Sequence, residues 1–190
     1  MKSPILLLIG LFLVALLPPL SGQSPLHDLQ LPTIHGQAYA LQQAAEYQIS
    51  VFFFLAPECP LCENYARSIK ELRQQFDPEQ VSFYGIFAGD TYTDDEIVHY
   101  LARFRLPVKA LRDPDYQLVA HFGARVTPEV FVVAPSGNVL YRGKIDNWIA
   151  ALGKKRPVAT RFYLRDAIDS SLKGAVIKVS QTEAVGCLIE

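Results

Sequence analysis

Cys59 and Cys62 are the residues whose type and spacing most directly indicate chemistry, because they form a C-x-x-C pair. The segment 60–76 places apolar residues on one helical face, so the pair stands at a helix N-terminus. There the helix dipole and unpaired backbone N–H groups lower a thiol pKa below its usual value of about 8.5. Pro60 suits the first helical position, which needs no N–H. We therefore predict that Cys59 attacks disulfides and that Cys62 resolves the mixed disulfide.

Two other interpretations of the C-x-x-C spacing are half of a structural zinc site and a purely structural disulfide. A zinc site needs a second ligand pair at similar spacing, whereas His27, His35, His99 and His121 are isolated in the sequence. A bridge across so short a loop would restrain the unfolded chain little. Redox chemistry is therefore favoured, and no metal is expected. No organic cofactor is expected either, because no Gly-rich phosphate loop follows a strand.

The predicted elements that position this pair indicate an α/β fold, with a mixed β-sheet flanked by helices on both faces. The nearly unbroken apolar run at 49–55 is typical of a central strand that is buried on both sides. Thr93 and Glu96 form a capping box, which predicts a helix to about Arg105. The other expected elements are a hairpin within 29–41, strands at 81–87, 108–111, 129–134 and 138–142, and helices at 60–76, at 115–122 and from the cap Thr160 to Gly174.

The N-terminus has the pattern of a secretory signal peptide, since Lys2 precedes the apolar run 5–17. The run is shorter than the roughly 20 residues of a membrane span. An uncleaved N-terminal anchor is the alternative. We predict a signal peptide at 1–22, one folded domain at 23–174 and a tail at 175–190 that carries Cys187. Export implies an oxidising, periplasmic or otherwise extracytoplasmic compartment.

The composition excludes several classes of function. Lys and Arg number 18 against 19 Asp and Glu, for a net charge of -1, so no basic field for nucleic acid is expected. Hydrophobic residues make up 50% of the chain, which is too many for intrinsic disorder. Three cysteines are too few for a disulfide scaffold. The basic run at 154–156 is expected to be a solvated turn.

The cysteine pair in its context resembles the thioredoxin superfamily, and more closely the redoxin branch related to alkyl hydroperoxide reductase and thiol-specific antioxidant proteins. The resemblance covers roughly residues 29–187. It is carried by VFFFLAPECPLC at 51–62, VTPEVFVV at 126–133, YRGKID at 141–146 and AVGC at 184–187. It implies a thioredoxin-like fold and a thiol-disulfide oxidoreductase. The implied partners are a protein or small-molecule disulfide or thiol and a protein that donates or accepts electrons.

In that superfamily the proline at the position of Pro128 is cis and lies against the cysteine pair. The resemblance implies that Pro128 shapes the substrate groove and that the backbone at Thr127 pairs with an extended substrate, next to Pro60. The sequence alone would allow an ordinary trans proline at the start of an apolar strand as readily.

Two departures from these relatives limit the functional assignment. Thioredoxins place a buried acid six residues before the first cysteine, where this chain has Phe53. The group that takes the proton from the resolving thiol is therefore open, with Glu58 and Glu63 nearby. Typical peroxiredoxins have a hydroxyl three residues before the reactive cysteine and a proline seven before it, where this chain has Ala56 and Phe52. Thiol peroxidase is thus the second hypothesis.

The third hypothesis is an exported copper-binding module, since thioredoxin-fold metallochaperones exist and thiolates suit Cu(I). His121 is a conceivable ligand, although a lone histidine on a helix is more often packed or exposed. The sole methionine is Met1. A copper site therefore has little support from the residue types.

Cys187 is the third cysteine and lies outside the C-x-x-C pair. One interpretation is that it is a small, buried hydrophobic residue. An unpaired thiol in an oxidising compartment is a liability unless it is buried or used. In the redoxin subgroup with a similar Val-Gly-Cys ending, some members lack the second cysteine of the C-x-x-C. We therefore predict that Cys187 lies close to Cys59 or Cys62, as an alternative resolving thiol or a third sulfur ligand.

Overall fold

The computed structural model describes residues 25–190. The strands are β1 (Gln30–Pro32), β2 (Ala38–Ala40), β3 (Ile49–Phe54), β4 (Val81–Ala88), β5 (Lys109–Asp113), β6 (Val126–Thr127), β7 (Glu129–Val133), β8 (Val139–Gly143), β9 (Ile149–Ala151), β10 (Lys154–Lys155) and β11 (Cys187–Leu188). The α-helices are α1 (Pro60–Gln75), α2 (Asp94–Phe104), α3 (Gln117–Phe122) and α4 (Tyr163–Leu172). The signal peptide predicted at 1–22 lies outside the described residues. Across residues 25–190, no helix is long and apolar enough to cross a membrane.

The central sheet has the strand order β5-β4-β3-β7-β8. Strands β3, β4 and β5 run parallel, whereas β7 is antiparallel to β3 and β8 is antiparallel to β7. Every residue of β3 is buried, as the apolar run predicted. Because both neighbours of β3 are sheet strands and both its faces are covered, its C-terminal end is a rigid support for the loop that leads to α1.

Alternate residues of β3 serve two hydrophobic cores, one on each face of the sheet. Val51 and Phe53 face the core that α1, α2 and α4 cover. Phe52 and Phe54 face the core that α3 and the N-terminal segment cover. Burial of each such side chain contributes roughly 1.5–3 kcal/mol. The predicted mixed sheet with helices on both faces is confirmed.

The capping box of α2 is present, with the Thr93 side chain accepting from the Glu96 N–H. The predicted cap of the last helix is wrong. Helix α4 begins at Tyr163, while Thr160 donates its N–H to the Asn147 side chain, 2.8 Å away, and its hydroxyl accepts from the same amide. The Thr160 hydroxyl therefore serves a neighbouring loop instead of the helix end.

Candidate active site

Cys59 lies where β3 gives way to α1, as predicted from the sequence. It is the N-cap residue of α1, and Pro60 occupies the start of the helix. The first turn closes when the Glu63 N–H donates to the Cys59 carbonyl, 3.2 Å away. Cys59 is buried, and its Sγ lies 3.1 Å from the Thr127 carbonyl oxygen. The helix start and the Thr127 backbone therefore both act on this sulfur.

Cys59 forms a disulfide with Cys187, 128 residues further along the chain. The two Cα atoms are 6.1 Å apart, within the usual range for a bridge. The prediction that Cys187 lies close to the cysteine pair is confirmed. The sequence left open which thiol it would meet, and the structure pairs it with Cys59.

Cys62 is the free cysteine among the described residues, and its side chain has no exposed surface. The pKa of this thiol is raised to about 12, mainly by burial and to a smaller extent by the negative charge of Glu63. The nearby Ala56 backbone and Thr127 side chain oppose the rise in pKa without offsetting it. Cys62 shares both of these neighbours with Cys59, so it lies beside the bridge as a protonated thiol.

Cys62 is therefore expected to resist alkylation in the folded, oxidised protein. With a pKa of about 12, only about one thiol in 10⁴ is ionised at pH 8. Iodoacetamide should label Cys62 at least about 100-fold more slowly in buffer than in denaturant, as measured by mass spectrometry over time. Equal labelling rates in the two conditions would contradict the burial of this thiol.

The Thr127–Pro128 peptide bond is cis, as the resemblance implied. Both residues are buried, and Pro60, the other predicted substrate contact, is exposed at the start of α1. The backbone of Val126 and Thr127, just before the cis bond, is already paired with another segment of the chain. Strand β6 pairs antiparallel with β11, with Thr127 opposite Cys187 and Val126 opposite Leu188. The protein's own tail thus lies where the resemblance implied an extended substrate.

Hydrogen bonds attach the tail to the edge strand β8 five residues before Cys187. The Thr182 hydroxyl accepts from the Lys144 N–H and shares a hydrogen bond with the Tyr141 hydroxyl, both at 2.8 Å. The Thr182 N–H donates to the Arg142 carbonyl, 3.0 Å away. Gly143 has φ +131°, and a Cβ there would lie 2.8 Å from the Thr182 carbonyl carbon. Glycine therefore permits the close approach of tail and strand.

A second attachment lies just after Cys187. The Ile189 N–H donates to the Arg125 carbonyl, 3.0 Å away, and Ile189 packs against the core on the α3 side of the sheet. The Tyr116 hydroxyl donates to the Glu190 carbonyl oxygen. Cys187 is therefore held between two anchoring points that do not involve its sulfur. Only the AVGC motif in the sequence pointed to this segment, and no pattern marked Thr182, Arg125 or Tyr116.

A pocket of about 270 Å³ opens beside the bridge and is lined by Cys59, Cys187, Glu58, Tyr92 and others. The pocket therefore brings solvent next to the two bridged cysteines. Of the two acids noted in the sequence, Glu58 is exposed at this pocket. Glu63 pairs with Arg103 at the surface, with 3.6 Å between nitrogen and oxygen.

Two other positions considered from the sequence add no functional group next to the cysteines. Phe53 is fully buried at the position where thioredoxins place a carboxylate. His121 lies on α3, with its ring edge-on to Phe122 at 5.0 Å between centroids. No three His, Cys, Asp or Glu side chains within 25–190 gather into a group that could hold a metal ion. The chemistry that the arrangement offers is thiol-disulfide exchange at a bridged sulfur on a helix N-terminus.

The sequence matches the AhpC/TSA family over residues 23–142. No curated protein matches the chain. Among solved structures, an uncharacterized conserved protein from Geobacillus kaustophilus is 21% identical, with 90% of this chain and 92% of that chain covered and a TM-score of 0.74. A hypothetical protein from Sinorhizobium meliloti 1021 is 19% identical, with 90% and 95% covered and a TM-score of 0.73.

A secreted disulfide oxidoreductase from Mycobacterium tuberculosis, described as homologous to E. coli DsbE, is also similar in structure. It is 16% identical, with 80% of this chain and 99% of that chain covered and a TM-score of 0.55. At these identities the likeness shows the fold, and the predicted thioredoxin-like fold is confirmed.

Proposed function

The chain belongs to the AhpC/TSA family, and we propose that it is an exported thiol-disulfide oxidoreductase in which Cys59 attacks and Cys187 resolves. The observation that carries the proposal is the Cys59–Cys187 bridge at the N-terminus of α1. In the reduced protein, the helix N-terminus favours the Cys59 thiolate, whereas the nearby Thr127 carbonyl favours the protonated thiol. The balance of these two groups tunes the reactivity of Cys59.

The reaction consists of two exchanges. The Cys59 thiolate attacks a substrate disulfide, so that a mixed disulfide forms and one substrate sulfur leaves as a thiolate. The Cys187 thiolate then attacks Cys59 Sγ, the Cys59–Cys187 bond forms, and the second substrate sulfur leaves. The substrate gains two electrons and the protein loses two. An electron-donor protein restores the dithiol, and the reverse sequence oxidises a substrate dithiol.

Cys187 suits the resolving role better than Cys62 in the oxidised state. Its sulfur is bonded to Cys59 and its tail is anchored on both sides. Cys62, the resolving thiol predicted from the sequence, is buried with a pKa of about 12, and so small a thiolate fraction attacks slowly. Cys62 nevertheless lies beside the bridge and could attack the mixed disulfide in place of Cys187. Serine variants of Cys62 and Cys187 distinguish the two resolving thiols.

Cys187→Ser is expected to accumulate a mixed disulfide at Cys59, because the resolving thiol is gone. We expect more than about half of the protein to be trapped after one turnover with a small disulfide such as glutathione disulfide. Cys62→Ser, a matched change three residues from Cys59, should instead release product. Mass spectrometry of the acid-quenched proteins measures both. Trapping in Cys62→Ser, with free turnover in Cys187→Ser, would assign the resolving role to Cys62.

Thiol peroxidase activity is the second candidate, and the position of Cys187 favours it. Peroxide would oxidise the Cys59 thiolate to a sulfenic acid, and attack by Cys187 would form the bridge and release water. Ala56 offers no side-chain hydroxyl at the position where peroxiredoxins have one. Peroxide consumption by the unchanged chain, together with a trapped sulfenic acid at Cys59 in Cys187→Ser, would establish this activity. If neither is found, disulfide exchange is the function that stands.

Export rests on the Lys2 and 5–17 pattern, and the proposed compartment is oxidising. A disulfide between residues 128 apart suits such a compartment. The mature protein is expected to begin near Gln23. N-terminal sequencing of protein from the native host measures this, and an intact Met1 would favour the anchored form.

A further inference from the structure

The tail lies against the site in the way a bound substrate strand would. Residues Cys187 and Leu188 form a short antiparallel pair with Val126 and Thr127, and the sulfur at the centre of the pair is bonded to Cys59. An enzyme joined to a polypeptide substrate by a mixed disulfide would have the same arrangement, with main-chain pairing beside the reacting sulfurs. The residues of the tail therefore indicate what the groove accepts.

Gly186, directly before Cys187, is the position at which the groove leaves least space. A Cβ there would lie 2.7 Å from the Thr127 carbonyl carbon, 2.9 Å from the Val126 Cβ, and closer still to the Thr127 carbonyl oxygen. Its φ lies outside the left-handed region, so the backbone torsion itself would suit any residue. Since Thr127 is the last residue of β6 and directly precedes Pro128, its backbone is held in place, and only glycine fits before the cysteine in this register.

The two positions flanking this Gly-Cys pair differ in how much the protein contacts them. Val185 packs against the core that α1, α2 and α4 cover, in a small pocket that Tyr65, Pro128 and Ile149 help to line. The Leu188 side chain is 75% exposed. In the tail, the two positions before the cysteine are therefore closely packed, whereas the position after it is open to solvent.

We propose that the tail is a built-in substrate strand, and that polypeptide partners react with Cys59 by taking its place on Val126–Thr127 with glycine directly before their own cysteine. The inference rests on the proposed function and adds the substrate class. The incoming cysteine thiolate attacks Cys59 Sγ, so the bond from Cys59 to the partner forms and the Cys59–Cys187 bond breaks. Cys187 leaves as a thiolate and takes a proton from water, while the tail leaves the groove.

Blocked peptides with the sequences Val-Gly-Cys-Leu and Val-Ala-Cys-Leu test this selectivity on the full oxidised chain. The equilibrium constant for forming the mixed disulfide at Cys59, in which the peptide has replaced the tail, is measured by mass spectrometry and divided by each peptide's constant with a small disulfide. The normalised constant should be at least about tenfold larger for the glycine peptide, because the alanine methyl meets the Thr127 backbone. Equal normalised constants would overturn the proposal. Dithiothreitol is the reference: if it also fails to open the bridge, the proposed function fails instead.

Gly186→Ala tests the same contact within the chain. The Cys59–Cys187 bridge of this variant should be reduced at a glutathione ratio at least about tenfold more oxidising than for the unchanged chain. Val176→Ala is the matched control, because Val176 lies in the same tail with 87% of its surface exposed, and its bridge should respond as in the unchanged chain. A Gly186→Ala bridge as stable as that of the control would overturn the proposal.

Discussion

Cys59→Ser is expected to lower the rate of thiol-disulfide exchange by at least about 1,000-fold, because a serine hydroxyl is not ionised at neutral pH and does not attack disulfides. We expect neither of the other two cysteines to replace it. The buried Cys62 has a pKa of about 12, and Cys187 is placed by its tail to react with Cys59. Turnover of a small disulfide with an excess of reducing thiol measures the loss.

Cys187→Ser is the matched control for this experiment. It also removes the bridge, so any general loosening of the tail affects both variants alike. It retains the attacking thiol and should therefore still give one equivalent of mixed disulfide, whereas Cys59→Ser should give none. One equivalent of mixed disulfide at Cys62 or Cys187 in the Cys59→Ser protein would contradict the assignment of the attacking thiol.

Thr182→Val is expected to raise the equilibrium constant for reduction of the Cys59–Cys187 bridge by glutathione roughly 5- to 150-fold. The valine cannot accept from the Lys144 N–H, and leaving this part-buried group unpaired costs about 1–3 kcal/mol. The Tyr141 hydroxyl loses its bond to Thr182 but still donates to the Lys144 carbonyl, 2.6 Å away. The docked tail then becomes less populated, which lowers the effective concentration of Cys187 at Cys59. Equilibration with glutathione buffers, followed by counting of free thiols, measures the effect.

Thr33→Val is a matched control for this prediction. It makes the same chemical change in the turn between β1 and β2, where the Thr33 hydroxyl accepts from exposed backbone N–H groups of His35 and Gln37. The bridge in this control should respond to glutathione within about twofold of the unchanged chain. A Thr182→Val bridge that matches this control would show that the attachment at Thr182 does not hold the tail for bridging.

Several features of the site could be predicted because they depend on residues that are neighbours in the sequence. The apolar run that becomes β3, the Pro60 that starts α1 and the Thr93 capping box all act within a few residues. Together they place Cys59 at the N-terminus of a helix that comes directly after a central strand. The cis bond before Pro128 came from the family resemblance, since the local sequence permits either isomer.

The last predicted helix shows where local patterns fail. Thr160 has the residue type of a helix cap, yet its polar groups bind Asn147, 13 residues away in the sequence. A side chain that can cap a helix can equally bind another loop, and the stronger set of contacts decides. Sequence spacing alone contains no information about which loop comes close.

The sequence by itself determined the position of Cys59 at a helix N-terminus, the fold and the presence of a third cysteine, because short-range periodicity, helix capping and motif similarity specify these. Only the tertiary structure decided that Cys59 is bonded to Cys187 while Cys62 stays buried and reduced. That choice depends on hydrogen bonds from Thr182 to Tyr141, 41 residues apart, and on main-chain pairing between β11 and β6. Such contacts form only when folding brings distant segments together, so no local pattern records them.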